Sequence, residues 1–221
     1  MRSELFNSAN QEAQTTQRWT LQSSKMLRTA LGDDVISTKG AMVAYQGNIA
    51  FNHEGSGSVG KFMKKVLTSE DAPMMRVSGQ GEVFFARTSS NIFMVQLEGD
   101  AITVNSSNLL AMDASIEWDI KRVQGAGIVT GGLFNLTLQG NGMVAVSCDG
   151  DPLLLDCSQQ PTFVDPNAVV CWSANLVPGV HNSMNMKSML RGGSGESFQL
   201  AFHGPGFVVV QPSEGYPTPT A

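Results

Sequence analysis

The sequence predicts an all-β protein made of three diverged copies of one β-sandwich-like unit, with at most one or two short helices. Three observations predict it. The 221 residues include 23 glycines and only 15% charged side chains, a balance that suits many short strands joined by tight turns. Apolar residues, 42% of the total, come in short bursts such as Val83-Phe84-Phe85 and Phe207-Val208-Val209-Val210. A Gly-x-Gly pattern then recurs three times inside the same alternating context.

The tightest copies are Phe134-Asn-Leu136-Thr-Leu138-Gln-Gly140-Asn-Gly142-Met-Val144-Ala-Val146 and Phe198-Gln-Leu200-Ala-Phe202-His-Gly204-Pro-Gly206-Phe-Val208-Val-Val210, offset by 64. A weaker copy is Met75-Arg-Val77-Ser-Gly79-Gln-Gly81-Glu-Val83-Phe-Phe85. Alternation on both sides of each glycine pair has the period of a strand with one buried face. Gly79, Gly81, Gly140, Gly142, Gly204 and Gly206 are therefore nominated as structural turn glycines, permitting positive φ or close backbone approach at a turn or bulge.

A second element repeats alongside. Leu31-Gly-Asp-Asp34-Val-Ile36 matches Leu97-Glu-Gly-Asp100-Ala-Ile102, with Gly150-Asp151-Pro-Leu153-Leu-Leu155 as a third version. Each is a turn rich in Gly and Asp that leads into a strand. Their tails are Ala44-Tyr-Gln-Gly-Asn-Ile49, Ala111-Met-Asp113-Ala-Ser-Ile116 and Phe163-Val-Asp165-Pro-Asn-Ala168-Val169, the last two reaching Trp118 and Trp172. The layout that follows is a polar, partly disordered arm over 1–17 and a triplicated domain over 18–211. Its units span about 18–60, 74–122 and 132–176, with a closing hairpin at 197–211 that completes the first unit. A flexible tail covers 212–221. Each unit reads as a β-sandwich or a short double-stranded β-helix.

Charge and hydropathy exclude several function classes. The net charge of −5 and pI near 5.1 weigh against DNA and RNA, whose binding needs a basic face. No apolar run approaches the roughly 20 residues of a membrane-spanning helix. The polar N-terminus lacks the apolar core of a signal peptide, so a cytoplasmic protein is expected. Residues 61–67 predict a short helix in which Lys61, Lys64 and Lys65 alternate with Phe62, Met63, Val66 and Leu67. Its two turns support at most weak peripheral membrane association.

The candidate chemistry is better read as structure. Gly55-Ser-Gly-Ser-Val-Gly60-Lys61 fits the first seven positions of a phosphate-binding loop, but Phe62 stands where a magnesium-binding Ser or Thr belongs. His53, His181 and His203 are scattered, and His203 occupies a place taken by Gln139 and Ser78 in the other copies. Asp34, Asp100 and Asp151 recur at one turn position per unit, and Asp113 and Asp165 at strand ends, where an Asp side chain bonds the backbone ahead. Neither Gly55-Ser-Gly nor Gly192-Gly-Ser194-Gly matches a nucleophile elbow. Cys148, Cys157 and Cys171 have no metal spacing and read as buried, reduced thiols. The twelve methionines include Met184-Asn-Met186-Lys-Ser-Met189, an adaptable apolar loop suited to core filling or to a partner surface. No catalytic, cofactor-binding or metal residue is nominated, and no cofactor is expected.

Four segments in order carry a family resemblance. They are Lys39-Gly40-Ala41-Met42-Val43-Ala44-Tyr45-Gln46-Gly47-Asn48-Ile49, Gly79-Gln-Gly81-Glu-Val83, Gly140-Asn-Gly142-Met-Val144, and Gly193-Ser-Gly195-Glu196-Ser-Phe198 running into His203-Gly204-Pro205-Gly206. Over about residues 19–211 the chain resembles the altered inheritance of mitochondria protein 24 family, whose bacterial members lack an assigned function. The resemblance implies units like those of the tryptophan RNA-binding attenuation protein, and a trimer with nine units in a ring. It supplies no catalytic residues. The chain departs from the family pattern in its long polar arm and in its third tail, residues 162–167.

These readings lead to a non-enzymatic, ring-like homotrimeric scaffold or protein-binding platform of unknown partner. A three-unit chain leaves strand edges at both ends, and cyclic association would cover them. The alternative is a module binding a small ligand or RNA between adjacent units. More remote is a nucleotide-binding enzyme using the loop from Gly55 to Lys61.

Overall fold

The computed structural model describes residues 1–53, 74–122, 134–182 and 198–213. The phosphate-loop-like segment at 55–61, the short helix expected at 61–67, the Met184 to Met189 loop, Gly193 to Glu196 and most of the tail lie outside them. Two 3-10 turns, Glu4–Phe6 and Ser8–Asn10, occupy the N-terminal arm. The arm is tied to the first strand where the Ala13 N–H donates to Gln22 Oε1 at 2.8 Å.

Among the described residues everything else of regular structure is β. The first unit holds β1 (Trp19–Ser23), β2 (Met26–Leu31), β3 (Val35–Thr38), β4 (Met42–His53) and β5 (Met74–Phe85). The second holds β6 (Asn91–Asn105), β7 (Leu109–Asp113), β8 (Glu117–Arg122) and β9 (Phe134–Cys148). The third holds β10 (Leu153–Asp156), β11 (Thr162–Val164), β12 (Val169–Ser173), β13 (Gly179–Asn182), β14 (Phe198–Phe202) and β15 (Phe207–Val210).

All three units follow one plan. A central strand closes each: β5, β9, and β14 with β15. On one side it pairs with β2 and β3, with β6, or with β10 and β11. On the other side run β4, then β7 and β8, then β12 and β13. A bulge falls at the same place in each, at Met42/Ala44, Leu109/Ala111 and Val169/Cys171. The backbone hydrogen bonds Ala86 N–H to Ala41 O, Ser147 N–H to Asn108 O and Gln211 N–H to Ala168 O, all 2.8–2.9 Å, recur with it. These fix the correspondence Met42, Leu109, Val169 and onward to Gln46, Asp113, Ser173.

The pairing groups the strands differently from the sequence layout. Residues 74–85 complete the first unit, 134–148 the second, and 198–210 the third rather than the first. Self-similarity between central strands defines the repeat length but not its phase, which is why the second and third expected units began one strand early, at β5 and β9. The third unit also differs in register. Phe163 lies in β11, opposite Ala201, and Cys171, not Phe163, is the counterpart of Ala111. Trp172 accordingly matches Met112 rather than Trp118. The long first strand of the second unit is broken here into β10 and β11, and the break displaced the alignment.

Because each long strand serves two sheets, the units stack as four layers. Layer one is β1, β2, residues 81–85 of β5 and 42–47 of β4. Layer two joins residues 48–53 of β4, 74–80 of β5 and β3 to β7, 142–148 of β9 and 91–97 of β6. Layer three joins β8, 134–140 of β9 and 100–105 of β6 to β12, β15 and β10; layer four is β13, β14 and β11. Three cores lie between them. Trp19, Leu27, Val77 and Phe85 fill the first, Ile36, Leu109, Leu138 and Val209 the second, and Val164, Trp172, Leu200 and Phe202 the third. Burying such side chains supplies the main drive for folding, at about 1.5–3 kcal/mol each.

Candidate functional site

The glycine pairs sit where the central strands pass from one layer to the next. Gly79, Gly81, Gly140, Gly142, Gly204 and Gly206 all have φ between +121° and +152°, a region that side chains with a Cβ rarely adopt. The first four lie inside continuous strands rather than at chain reversals; only Gly204 and Gly206 separate two strands. The second glycine of each pair meets the corresponding position on the neighbouring strand. A Cβ there would lie 2.0 Å from Gln46 O, 3.0 Å from Asp113 Cβ, or 2.9 Å from Ser173 Cβ. Asp113 and Ser173 use the proximity: Asp113 Oδ2 accepts from the Met143 N–H at 2.7 Å, and Ser173 Oγ from the Phe207 N–H at 3.0 Å.

Consecutive units are joined by two matching seams. In the first, β3 pairs with β7 through Val35–Asp113, Ile36–Met112 and Ser37–Ala111. In the second, β6 pairs with β12 through Ile102–Ser173, Thr103–Trp172 and Val104–Cys171. Residues 109–112 and 169–172 are buried on both faces, none more than 3% exposed. The ends of the stack lack this covering. Val43 and Tyr45, counterparts of Leu110 and Met112, are 51% and 48% exposed, and Phe163 of β11 is 49% exposed. Tyr45 packs edge-on against Phe51 at 5.3 Å, and Phe163 against His181 at 4.9 Å.

A polar cavity of about 260 Å³ opens where turns of the three units meet. Buried Asn108 donates to Ser147 O at 2.8 Å and Gln211 Oε1 at 3.2 Å, while Gln211 Oε1 also accepts from the Asp149 N–H at 3.0 Å. Ser90 Oγ donates to Asp149 Oδ1 at 2.7 Å. Arg87 donates to the Ser107 carbonyl, and burial lowers its pKa. A guanidinium, a carboxylate and several amides can together hold a small polar molecule. Sequence reading passed over this cluster, because Asn108 and Gln211 are 103 residues apart and neither belongs to a motif.

The nominated acids hold the frame. Asp34 pairs with Arg76 at 3.1 Å, and Asp113 with Arg18 and the Trp19 indole N–H, each at 3.2 Å. Asp100 accepts from the Glu98 N–H, Asp151 from Asn91 and Asp165 from the Asn167 N–H. His53 ends β4, His181 lies in β13 and His203 is exposed between β14 and β15. Among the described residues no three His, Cys, Asp or Glu side chains are arranged to hold a metal ion, and no helix is long and apolar enough to cross a membrane. Cys148, Cys157 and Cys171 are free and buried. Burial pushes the Cys148 thiol up to about 11, aided by Asp149 and Asp151, and that of Cys171 up to about 12. Both stay protonated, hence weak nucleophiles, at neutral pH.

Comparison with known proteins places this architecture. The chain is 25% identical over 194 residues to an uncharacterized protein of Streptococcus pyogenes serotype M6, covering 81% of this chain and 77% of that protein. Its fold is similar to the crystal structure of the Streptococcus pyogenes protein SPYM3_0169, with a TM-score of 0.69 at 22% identity, over 88% of this chain and 92% of that one. Residues 19–213 match the family described as Mitochondrial biogenesis AIM24. With seven-eighths of its length inside that match, the chain belongs to the Mitochondrial biogenesis AIM24 family.

Proposed function

We propose that this protein is a cytosolic, non-enzymatic homo-oligomeric scaffold, a ring-like trimer that offers its outer faces to a protein partner. The observation that supports this reading is the contrast between inner and outer layers. Layers two and three are complete, with seams buried on both sides, whereas layers one and four are half-layers that stop at open strands. Open apolar edges invite uncontrolled pairing unless something covers them, and closed cyclic association would cover the two at the ends of the stack, on β4 and β11. The engagement of Asp34, Asp100, Asp113 and Asp165 in turns and ion pairs points the same way. Their chemistry is spent on holding strands. Mass measurement in solution tests the proposal: a species three times the 23.6 kDa chain is expected, and a clean monomer at micromolar concentration would overturn it.

The polar cavity favours a second reading, a small-ligand module with the ligand held between units. Its mixed lining around Arg87 suits a small polar molecule, and the acidic chain disfavours RNA. A thermal-shift screen with tryptophan, nucleotides and short RNAs should then give a shift that Arg87→Ala removes. No shift with any of them disposes of this reading.

A further inference from the structure

We infer that the polar cavity binds a small carboxylate that also carries a hydrogen-bond donor, such as a hydroxy acid, with the carboxylate on Arg87 and the donor on Asp149. The inference rests on the small-ligand reading and names the chemistry of its ligand. At about 260 Å³, the cavity has room for roughly nine water-sized groups of about 30 Å³ each. That suits a molecule of a few carbons.

Arg87 is held in place but only half engaged. Its Nη1 donates to the Ser107 carbonyl, with Leu109 O at 3.5 Å. Among the described residues Nε and Nη2 have no hydrogen-bond partner, and Arg87 forms no ion pair. Those two nitrogens make one edge of the guanidinium, whose parallel N–H groups match the two oxygens of a carboxylate. Arg28 shows the match within this chain: its Nε donates to Glu82 Oε2 at 2.9 Å and its Nη2 to Oε1. Arg87 offers the same edge unoccupied. Burial has already removed part of its water, and a desolvated charge is costly until a counter-charge meets it.

Asp149 is the complementary group. Its Oδ1 accepts from Ser90 Oγ at 2.7 Å, and among the described residues Oδ2 has no hydrogen-bond partner. The cavity thus presents a cation and an anion that do not pair with each other. A guest with a carboxylate and a donor satisfies both, whereas a bare anion would leave Asp149 facing it. The floor offers little else, because Asn108, Ser147 and Gln211 are bonded to one another and to the Asp149 main chain. One wall is a tight turn closed by the Ser90 N–H donating to Arg87 O at 2.7 Å, with Thr88 at φ +42° and Ser89 at φ +60°. Residues with a Cβ rarely adopt that region twice running, and such strain gathers where a binding site requires it. Here it brings Arg87 and the Ser90–Asp149 pair to one opening.

Saturation-transfer difference NMR on the full chain, at constant ionic strength, tests this with three probes of nearly equal size. Lactate carries carboxylate and donor, propionate the carboxylate alone, and lactamide the donor without the charge. Lactate should bind saturably, propionate about tenfold more weakly and lactamide more weakly still, since a lost hydrogen bond to a charged group removes a factor of about ten. Arg87→Gln should weaken lactate by about tenfold or more, and Arg87→Lys by less. Asp149→Ala should erase the advantage of lactate over propionate. If circular dichroism shows Arg87→Gln unfolded, the Lys variant and the wild-type order of the three probes decide. Lactamide or propionate binding as tightly as lactate, or lactate indifferent to Arg87→Gln, would overturn the assignment and leave a small-ligand cavity. Silence from all three probes also overturns it; a thermal shift with another compound would then keep the small-ligand reading, and no shift at all would remove both.

Discussion

The first unit and the third cross between layers with the same glycine pattern but by different contacts. In the first, β4 runs unbroken through Gly47, at φ +101°, and passes β5 main chain against main chain. A Cβ at Gly47, Gly79 or Gly81 would fall 2.5, 2.1 or 2.0 Å from a carbonyl oxygen of the opposing strand. In the third, Ala174 stands where Gly47 stands, and the chain turns instead, with the Leu176 N–H donating to Ser173 O at 2.9 Å. Side chains fill the crossing there: among the described residues Gly204 faces only Leu176 Cδ2 at 3.3 Å, and Asn175 Nδ2 donates to Pro205 O at 2.7 Å. The second unit follows the third, with a turn from Asp113 to Ile116 and a Ser115 hydroxyl donating to Asn141 O at 3.1 Å. One sequence pattern therefore marks a shared backbone conformation, while the neighbour it must admit differs from unit to unit.

Alanine substitutions should separate the two. Gly81→Ala combines a positive φ with a main-chain clash and should destabilise on the order of 4 kcal/mol, enough to prevent folding at a marginal total stability. Gly206→Ala meets Ser173 Oγ at 2.8 Å and Leu176 at 3.1 Å, and should cost about 3 kcal/mol. Gly204→Ala meets a flexible methyl and should cost about 1–2 kcal/mol, mostly as backbone strain. Denaturant midpoints give the ranking directly. Equal losses at the three positions would mean that φ alone matters and that the difference between crossings has no energetic content.

The triplication was legible because its glycines answer to a local backbone demand that a sequence displays directly. The phase of the units was not, since pairing between β2 and β5 joins residues fifty or more apart and leaves no local mark. Gly47 illustrates the limit. It sits in the family-like run from Lys39 to Ile49, yet nothing there distinguishes a glycine at a main-chain crossing from one in an ordinary turn. Tyr45 and Phe163 fall in the tails that follow the Gly- and Asp-rich turns; that they lie at open edges became visible only once their buried counterparts, Met112 and Ile36, could be set beside them. The acids were read as turn chemistry, and Asp165 does bond the backbone ahead, at the Asn167 N–H, whereas Asp100 accepts from the Glu98 N–H behind it. Asp113 does more, joining Arg18, Trp19 and Met143 across two strands, because the fold returns the chain to it.

The central strand of the first crossing also carries a charge beside its glycine pair that the other two central strands lack. Glu82, next to Gly81, binds buried Arg28 on β2, with Nε donating to Oε2 at 2.9 Å and Nη2 to Oε1, whereas Met143 and Phe207 occupy the matching places. Hydrogen bonding to Arg28 is the main cause of a Glu82 pKa below the usual carboxylate range, outweighing a smaller opposing effect of burial. A lowered folded-state pKa means that the pair's contribution is present above the unfolded value of about 4.3 and is lost as pH falls through the folded one. Glu82→Gln should therefore lower stability at pH 7 by about 1–2 kcal/mol, since Arg28 keeps a hydrogen-bond acceptor but loses its counter-charge. The gap between variant and wild type should close in acid, once Glu82 itself is protonated. Urea unfolding at pH 7 and at pH 3 measures both gaps. A gap of the same size at the two values would show that the carboxylate charge plays no part in holding the first crossing.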